Sequence, residues 1–411
     1  MSTVVLPHWN PAAIPVRRVL HGLGLALMTG FIFFACFAFS DVAPYDVVAV
    51  PTMLVWLCLG IRLHRGALPF AGLMLIYVGA VVVALVPYLD EPLSVIWTVQ
   101  LAYLAVTGVF FAMFFSDDVD RRVELALKVY TASTLFSAAL GLGGYLGLIG
   151  EDGLFSRWGR ASGTFQDPNV FGSFLILGAL YLMHDLLSGR ARRPIPSAAG
   201  LMILLMGILL SFSRGSWAAA AVAIVVMVAC LYRCAARPLR RRIALLSGLT
   251  LGLALAAFAA LLSVDSVAET LAQRAAVTQD YDEGETGRFG NQLRGLPMLV
   301  EEPIGMGPLR WRRTFEVEPH NSYIGSFANG GWVAGVAFIL LVGATGFVGV
   351  RLMLAPSPCR RFAQIVVPAL LVFFLQALQI DIEKWRHVYM MLGMVWGLEA
   401  ARVRWRASDE P

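Results

Sequence analysis

The chain has 411 residues, of which 58% are hydrophobic and only 14% charged, with a mean hydropathy of +0.72. A water-soluble domain of this length could not cover its surface with so few charges, which excludes a soluble enzyme or binding module and leaves a polytopic α-helical membrane protein. The net charge of +5 requires no nucleic-acid partner, because the basic excess falls in short loops that would face anionic lipid.

Apolar runs of roughly 18 to 25 residues recur from end to end, each long enough to cross a hydrocarbon core of about 30 Å as a helix. Twelve spans are predicted, at 19–39, 46–61, 67–88, 93–115, 123–149, 170–187, 197–212, 215–232, 243–262, 323–350, 362–380 and 387–403. The seventh and eighth are separated only by Ser213-Arg214-Gly215. The first run follows a short basic stretch without a small-residue cleavage site and is read as a retained span. With the N-terminus inside, 21 of the 32 lysines and arginines fall on the cytoplasmic side and 11 on the outer side, as the positive-inside rule requires. Both termini are then cytoplasmic, and the whole chain, 1–411, forms one integral membrane domain. Five cysteines lie in or beside spans or at the inner face, so no disulfide framework is implied. Cys230 and Cys234 have helical spacing but no neighbouring thiols or histidines to complete a metal site, and no cofactor is expected.

One polar stretch breaks the pattern. Residues 263–322 form a large outer loop that carries Arg274, Arg288, Arg294, Arg310, Arg312, Arg313 and His320. Arginine normally collects in inner loops, so its concentration outside points to an anionic ligand there. Within the loop, Ser266-Val267-Ala268-Glu269 reads as a capping box opening a short helix, and Thr286 as the cap of a second helix over about 287–301. Phe289, Leu293, Leu296 and Val300 share one stripe of that helix, which must pack on something apolar. Arg288 and Gln292 lie on an adjacent face, whereas Arg294 points away, to solvent or towards Glu301 or Glu302. Gly305-Met306-Gly307-Pro308 suits tight backbone turns.

Two shorter outer segments add to this. Arg157-Trp158-Gly159-Arg160 leads through Gly163-Thr164 to Asp167-Pro168-Asn169, where Asp167 or Asn169 can cap the sixth span. The glycines beside Arg160 would let backbone approach a ligand closely. Ser211-Phe212-Ser213-Arg214-Gly215 places an arginine near the hydrocarbon boundary among small polar residues, an anion-binding turn that opens a helix. His320, in Pro319-His320-Asn321-Ser322, is the single histidine in any outer loop, and imidazole can take a proton near neutral pH. The turn Asp381-Ile382-Glu383-Lys384-Trp385-Arg386 reads as a solvated hairpin in preference to an ion-paired lid, and Trp97, Trp332 and Trp396 as interfacial anchors.

In order, the blocks Arg160-Ala-Ser-Gly-Thr-Phe-Gln-Asp-Pro-Asn169, Ser211-Phe-Ser-Arg-Gly215 and Pro319-His-Asn-Ser-Tyr323 with Gly330-Gly331 resemble the O-antigen ligase and polysaccharide polymerase superfamily of bacterial inner membranes. The resemblance covers about 150–345. It implies a metal-independent, GT-C-like, all-helical glycosyltransferase acting at the periplasmic face. Its donor would be a glycan linked to undecaprenyl diphosphate, and its acceptor a hydroxyl of the lipid A core. On this resemblance Arg160, Arg214 and Arg288 hold the diphosphate, Asn169 and Asn321 join them in binding substrate, and His320 activates the acceptor. The polymerase alternative uses the same donor and passes the growing chain to the next lipid-linked unit; the ten residues between Arg294 and Gly305 resemble a polymerase spacing. The extra arginines Arg310, Arg312 and Arg313 would suit an acidic polysaccharide. A transporter is disfavoured, since the charges cluster at one outer edge and leave the span midplanes nearly empty.

Overall fold

The computed structural model describes residues 13–39, 43–150, 153–263 and 287–409. Arg274, the expected capping box at Ser266 to Glu269 and the expected cap at Thr286 lie outside the described residues.

Among the described residues, twelve long helices coincide one for one with the predicted spans. They are α1 (Ala13–Phe33), α2 (Pro44–Cys58), α3 (Leu68–Leu85), α4 (Pro92–Ser116), α5 (Val119–Tyr145), α6 (Pro168–Ser188), α7 (Pro194–Leu210), α8 (Arg214–Cys234) and α9 (Arg237–Leu262). After the short outer helices α10 (Arg288–Glu301) and α11 (Trp311–Phe315) come α12 (Ser322–Leu354), α13 (Arg360–Gln376) and α14 (Arg386–Asp409). Eight of the long helices have the length and apolarity to cross a membrane, while α2 and α7 are apolar but shorter. The chain is an all-α polytopic membrane protein. α14 is buried almost throughout from Val388 to Ala400, so it needs no lipid-compatible surface and carries Glu399 and Arg402. Glu399 is held by Arg351 at 2.5 Å and Arg402 at 2.7 Å, which supplies the partners that a buried carboxylate requires.

Two sets of loops lie at opposite ends of the bundle. At one end His64 faces Asp117, Arg404 pairs with Asp117 at 2.9 Å, and Arg361 joins Glu124 and Asp185. At the other, Ala38 N donates to Thr164 O, Ser94 Oγ to Pro308 O, and Arg386 pairs with Asp46 at 2.7 Å. The arginine-bearing outer blocks among the described residues belong to this second end.

α12 is interrupted at Gly330 (φ −147°) and Gly331 (φ 69°), where a left-handed conformation costs glycine little. The break lets the 303–307 loop dock there: Trp332 N donates to Pro303 O (3.0 Å) and Met306 N to Ala328 O (2.8 Å). Gly305 and Gly307 turn with φ of 92° and 100°, as their sequence suggested. Two blocks far apart on the outer side are thus one packed unit.

Trp97 and Trp396 are not interfacial anchors. Both are almost fully buried; Trp396 donates to Thr345 Oγ1 (3.0 Å) and stacks on Phe70. An apolar side chain that suits a headgroup belt suits a protein core equally. Trp332 is exposed, as an anchor would be.

Candidate functional site

The connection 377–385, between α13 and α14, joins the outer blocks. Ser322 N donates to Ala377 O, Ile382 N donates to Ser322 Oγ (2.8 Å), and Asn321 N donates to Asp381 Oδ1 (3.0 Å). His320 Nδ1 lies 3.3 Å from Asp381 Oδ2. The same connection receives Arg288, whose Nη1 donates to Gln379 O at 3.1 Å.

His320 has φ 48°, a left-handed conformation uncommon for a side chain other than glycine, though histidine tolerates it better than most. Its neighbours hold it there. Gln292 of α10 donates to Pro319 O (2.7 Å) on one side, and Asp381 accepts from Asn321 N on the other. Asn321 then caps α12, its Oδ1 accepting from Tyr323 N and Ile324 N. Its side-chain oxygen is therefore occupied in fixing the helix start that carries the imidazole.

The second group begins at the hairpin β1 (Ser156–Arg157) and β2 (Arg160–Ala161), turned by Trp158 and Gly159. Arg160 is buried; Nε donates to Ser211 O (2.7 Å) and Nη2 to Asn169 Oδ1 (2.8 Å). Asp167, not Asn169, caps α6, accepting from Asn169 N, with Pro168 in the first turn. Asn169 is freed for Arg160, and its carbonyl accepts from Ser173 and Ser216. Arg214 is the first residue of α8, half-buried, behind a cap in which Ser213 Oγ accepts from Ser216 N. Gln376 Nε2 donates to Ser173 Oγ (2.9 Å), so this cluster reaches the last residue of α13, next to the connection that carries Gln379 and Asp381. Arg160, Asn169, Arg214, Arg288, His320 and Asn321 thus share one end of the bundle, linked through a single connection.

Asp381 and Glu318 flank His320, and Glu383 interacts with both of those carboxyl groups. The Asp381 hydrogen bond raises the His320 pKa above its ordinary 6.5; burial and Arg288 oppose that rise, while Glu318 reinforces it. Burial, then Asp381, pushes Glu383 up to about 8, so it holds a proton near neutral pH. Burial likewise raises Glu318, with Arg312 at 3.7 Å acting against it. A cavity of about 390 Å³ opens beside them, walled by Trp97, Trp385, Gln100, Asn329, Arg312 and Lys384.

Several readings of the sequence are corrected here. The 381–386 segment is not a solvated hairpin: Glu383 and Trp385 are each 6% exposed, Asp381 faces His320, and Arg386 holds Asp46. The charges that made it look solvated are matched by partners distant in sequence. Of the two settings expected for Arg294 the solvent-exposed one holds, and it donates to Asn291 Oδ1 (3.0 Å) and lies over the Phe315 ring. Arg310 and Arg313 both reach Glu91 and so bind the loop to the bundle, while Arg312 reaches Glu318 within the loop itself. Asp381 is the functional candidate that sequence reasoning missed. Its signal was an acidic residue at the outer end of a span, but nothing local ties it to His320, 61 positions earlier.

A family model described as O-Antigen ligase matches residues 199–339, about a third of the chain. The match runs from α7 to the kinked part of α12 and includes Arg214, Arg288 and His320. Among curated proteins, none matches. Through the matched third, the chain is similar to the O-antigen ligase family.

Proposed function

We propose that the protein is an O-antigen ligase-type glycosyltransferase that moves a glycan from undecaprenyl diphosphate to an acceptor hydroxyl, of the lipid A core, at the periplasmic face of a bacterial inner membrane. The observation that carries this is the pairing of His320 with Asp381 on the same connection that receives Arg288. Such an arrangement puts a proton acceptor and an anion-binding group side by side.

In this reaction the acceptor oxygen attacks the anomeric carbon while the bond from that carbon to the diphosphate oxygen breaks. The acceptor proton passes to His320 Nε2, and undecaprenyl diphosphate leaves. Asp381 accepts a hydrogen bond from Nδ1–H, fixes the tautomer and stabilises the imidazolium that forms. Charge grows on the diphosphate as the bond breaks, and fixed guanidinium groups stabilise that change. Arg214 and Arg288 make this contact. Arg160, buried and bonded to Ser211 O and Asn169, holds the turn that presents Arg214 and adds its own positive field. Asn321 acts by setting the helix start behind His320. The sugar acceptor occupies the cavity between Trp97 and Trp385, whose amide and charged walls suit hydroxyl groups. No step in this scheme requires a metal ion.

Orientation follows the positive-inside reading, with the His64, Arg361 and Arg404 end cytoplasmic. The test is purified protein in vesicles with the lipid-linked glycan and each acceptor in turn. Glycan on lipopolysaccharide core is the expected product; lengthened lipid-linked glycan identifies the polymerase instead. His320→Ala should lower transfer about 10²- to 10⁴-fold with normal insertion and abundance, and normal turnover removes His320 from the mechanism.

A further inference from the structure

The outer helix α10 divides its surface into three sectors. At about 100° per residue, Asn291, Gln292, Gly295 and Leu299 fall on one side, and these four are buried against the protein. Gly295 marks the closest approach, since a Cβ there would overlap the Trp311 ring. Arg294, Pro297 and Glu301 lie on a second side and are exposed, as a water-facing surface would be. Phe289, Leu293, Leu296 and Val300 make a third, narrow sector between those two. All four are 45–70% exposed. The stripe that the sequence required to pack on something apolar does not pack on this protein.

The stripe is continuous with the surface of the spans. Trp332 Nε1 donates to Leu299 O (2.9 Å), so the C-terminal turn of α10 rests on a residue of α12 that is itself exposed. Below Trp332, an apolar groove of about 340 Å³ runs between α3 and α12, lined by Leu73, Ile76, Val333, Val336 and Leu340. Ile304, just past α10, is 61% exposed at the same edge. An apolar strip between a protein-facing side and a water-facing side, merging with the exposed faces of membrane spans, is the surface of a helix lying in the plane of the interface.

We propose that α10 is a membrane-seated helix whose Phe289–Leu293–Leu296–Val300 stripe is buried in the boundary between headgroups and acyl chains of the outer leaflet. Its occupant is the bilayer itself. The seat fixes the depth of Arg288, at the N-terminal end of the helix, at the level of phospholipid phosphates. A diphosphate anchored by an isoprenoid chain presents its charge at that same level. The seating stands without the proposed reaction; only the alignment of Arg288 with a lipid diphosphate rests on it.

The full-length protein is reconstituted in vesicles of phosphatidylethanolamine and phosphatidylglycerol, with a photoreactive benzophenone amino acid at position 293, 294, 300 or 301. Adducts with phospholipid are counted after irradiation. Positions 293 and 300 should give about fivefold more lipid adduct than 294 and 301, because the probe at the former two lies among acyl chains. Two stripe positions guard against one that fails to accumulate. Equal lipid yield at all four positions overturns the seating, and so does a product at 293 and 300 that is chiefly a crosslinked second copy of the chain. No lipid-linked glycan is present, so the result is independent of turnover: failure of the transfer reaction would leave a lipid adduct in place, and failure of the seating would leave transfer measurable.

Discussion

Asp381→Asn is the most informative perturbation of the proposed site. Asparagine keeps the shape and leaves an oxygen to accept from Asn321 N, so the connection and the cap of α12 persist. What is lost is the negative charge 3.3 Å from His320 Nδ1. A hydrogen bond to a charged group contributes about 1.5–3 kcal/mol. The side chains are 47% and 32% exposed, so solvent screening reduces that to about 1–2 kcal/mol, or roughly 5- to 30-fold in turnover at the alkaline plateau. The pH dependence has a definite sign. His320 must be unprotonated to accept a proton, so the rate rises with pH, and the Asp381 bond places the half-rise above 6.5. Asp381→Asn should move that half-rise towards acid while lowering the plateau. Stability carries the matching linkage: the pair's contribution is complete below the unfolded pKa of histidine and disappears as pH climbs through the raised folded value. The assay is initial rate against pH in vesicles, with folding followed by thermal unfolding. An unchanged half-rise together with an unchanged plateau would refute the dyad.

Three further outcomes follow from the geometry. Arg160→Lys keeps the charge but not the fork that spans Ser211 O and Asn169, so turnover should drop about tenfold; parent activity would show that Arg160 does not hold the Arg214 turn. Gly331→Ala places a Cβ 2.2 Å from Pro303 O at φ 69°, which should cost about 1–3 kcal/mol and lower the thermal midpoint; an unaltered midpoint would mean the 303–307 loop is not docked on the α12 break. Glu399→Ala leaves Arg351 and Arg402 without their shared carboxylate and should destabilise by about 3–5 kcal/mol, seen as poor accumulation. Glu399→Met combined with Arg402→Met should recover much of that loss, and a double variant as poor as the single one contradicts the pairing.

The sequence by itself determined the architecture and the order of the functional blocks. Apolar runs of spanning length leave the backbone no alternative to helices in a bilayer, because every N–H and C=O must be satisfied within the segment. Each of the twelve runs became a helix, and local grammar placed a cap at Asp167 or Asn169, of which Asp167 serves, and the turns at Gly305 and Gly307. What only the tertiary structure decided is which side chains meet. Asp381 reaches His320, Arg386 reaches Asp46 and Arg310 reaches Glu91 across long stretches of chain, and no periodicity encodes such pairs. Burial was equally hidden. In a membrane protein the lipid-facing and protein-facing surfaces are both apolar, so composition cannot distinguish the buried Trp97 from the exposed Trp332, nor the packed side of α10 from its outward stripe. That distinction belongs to the way the helices pack, which no single segment carries.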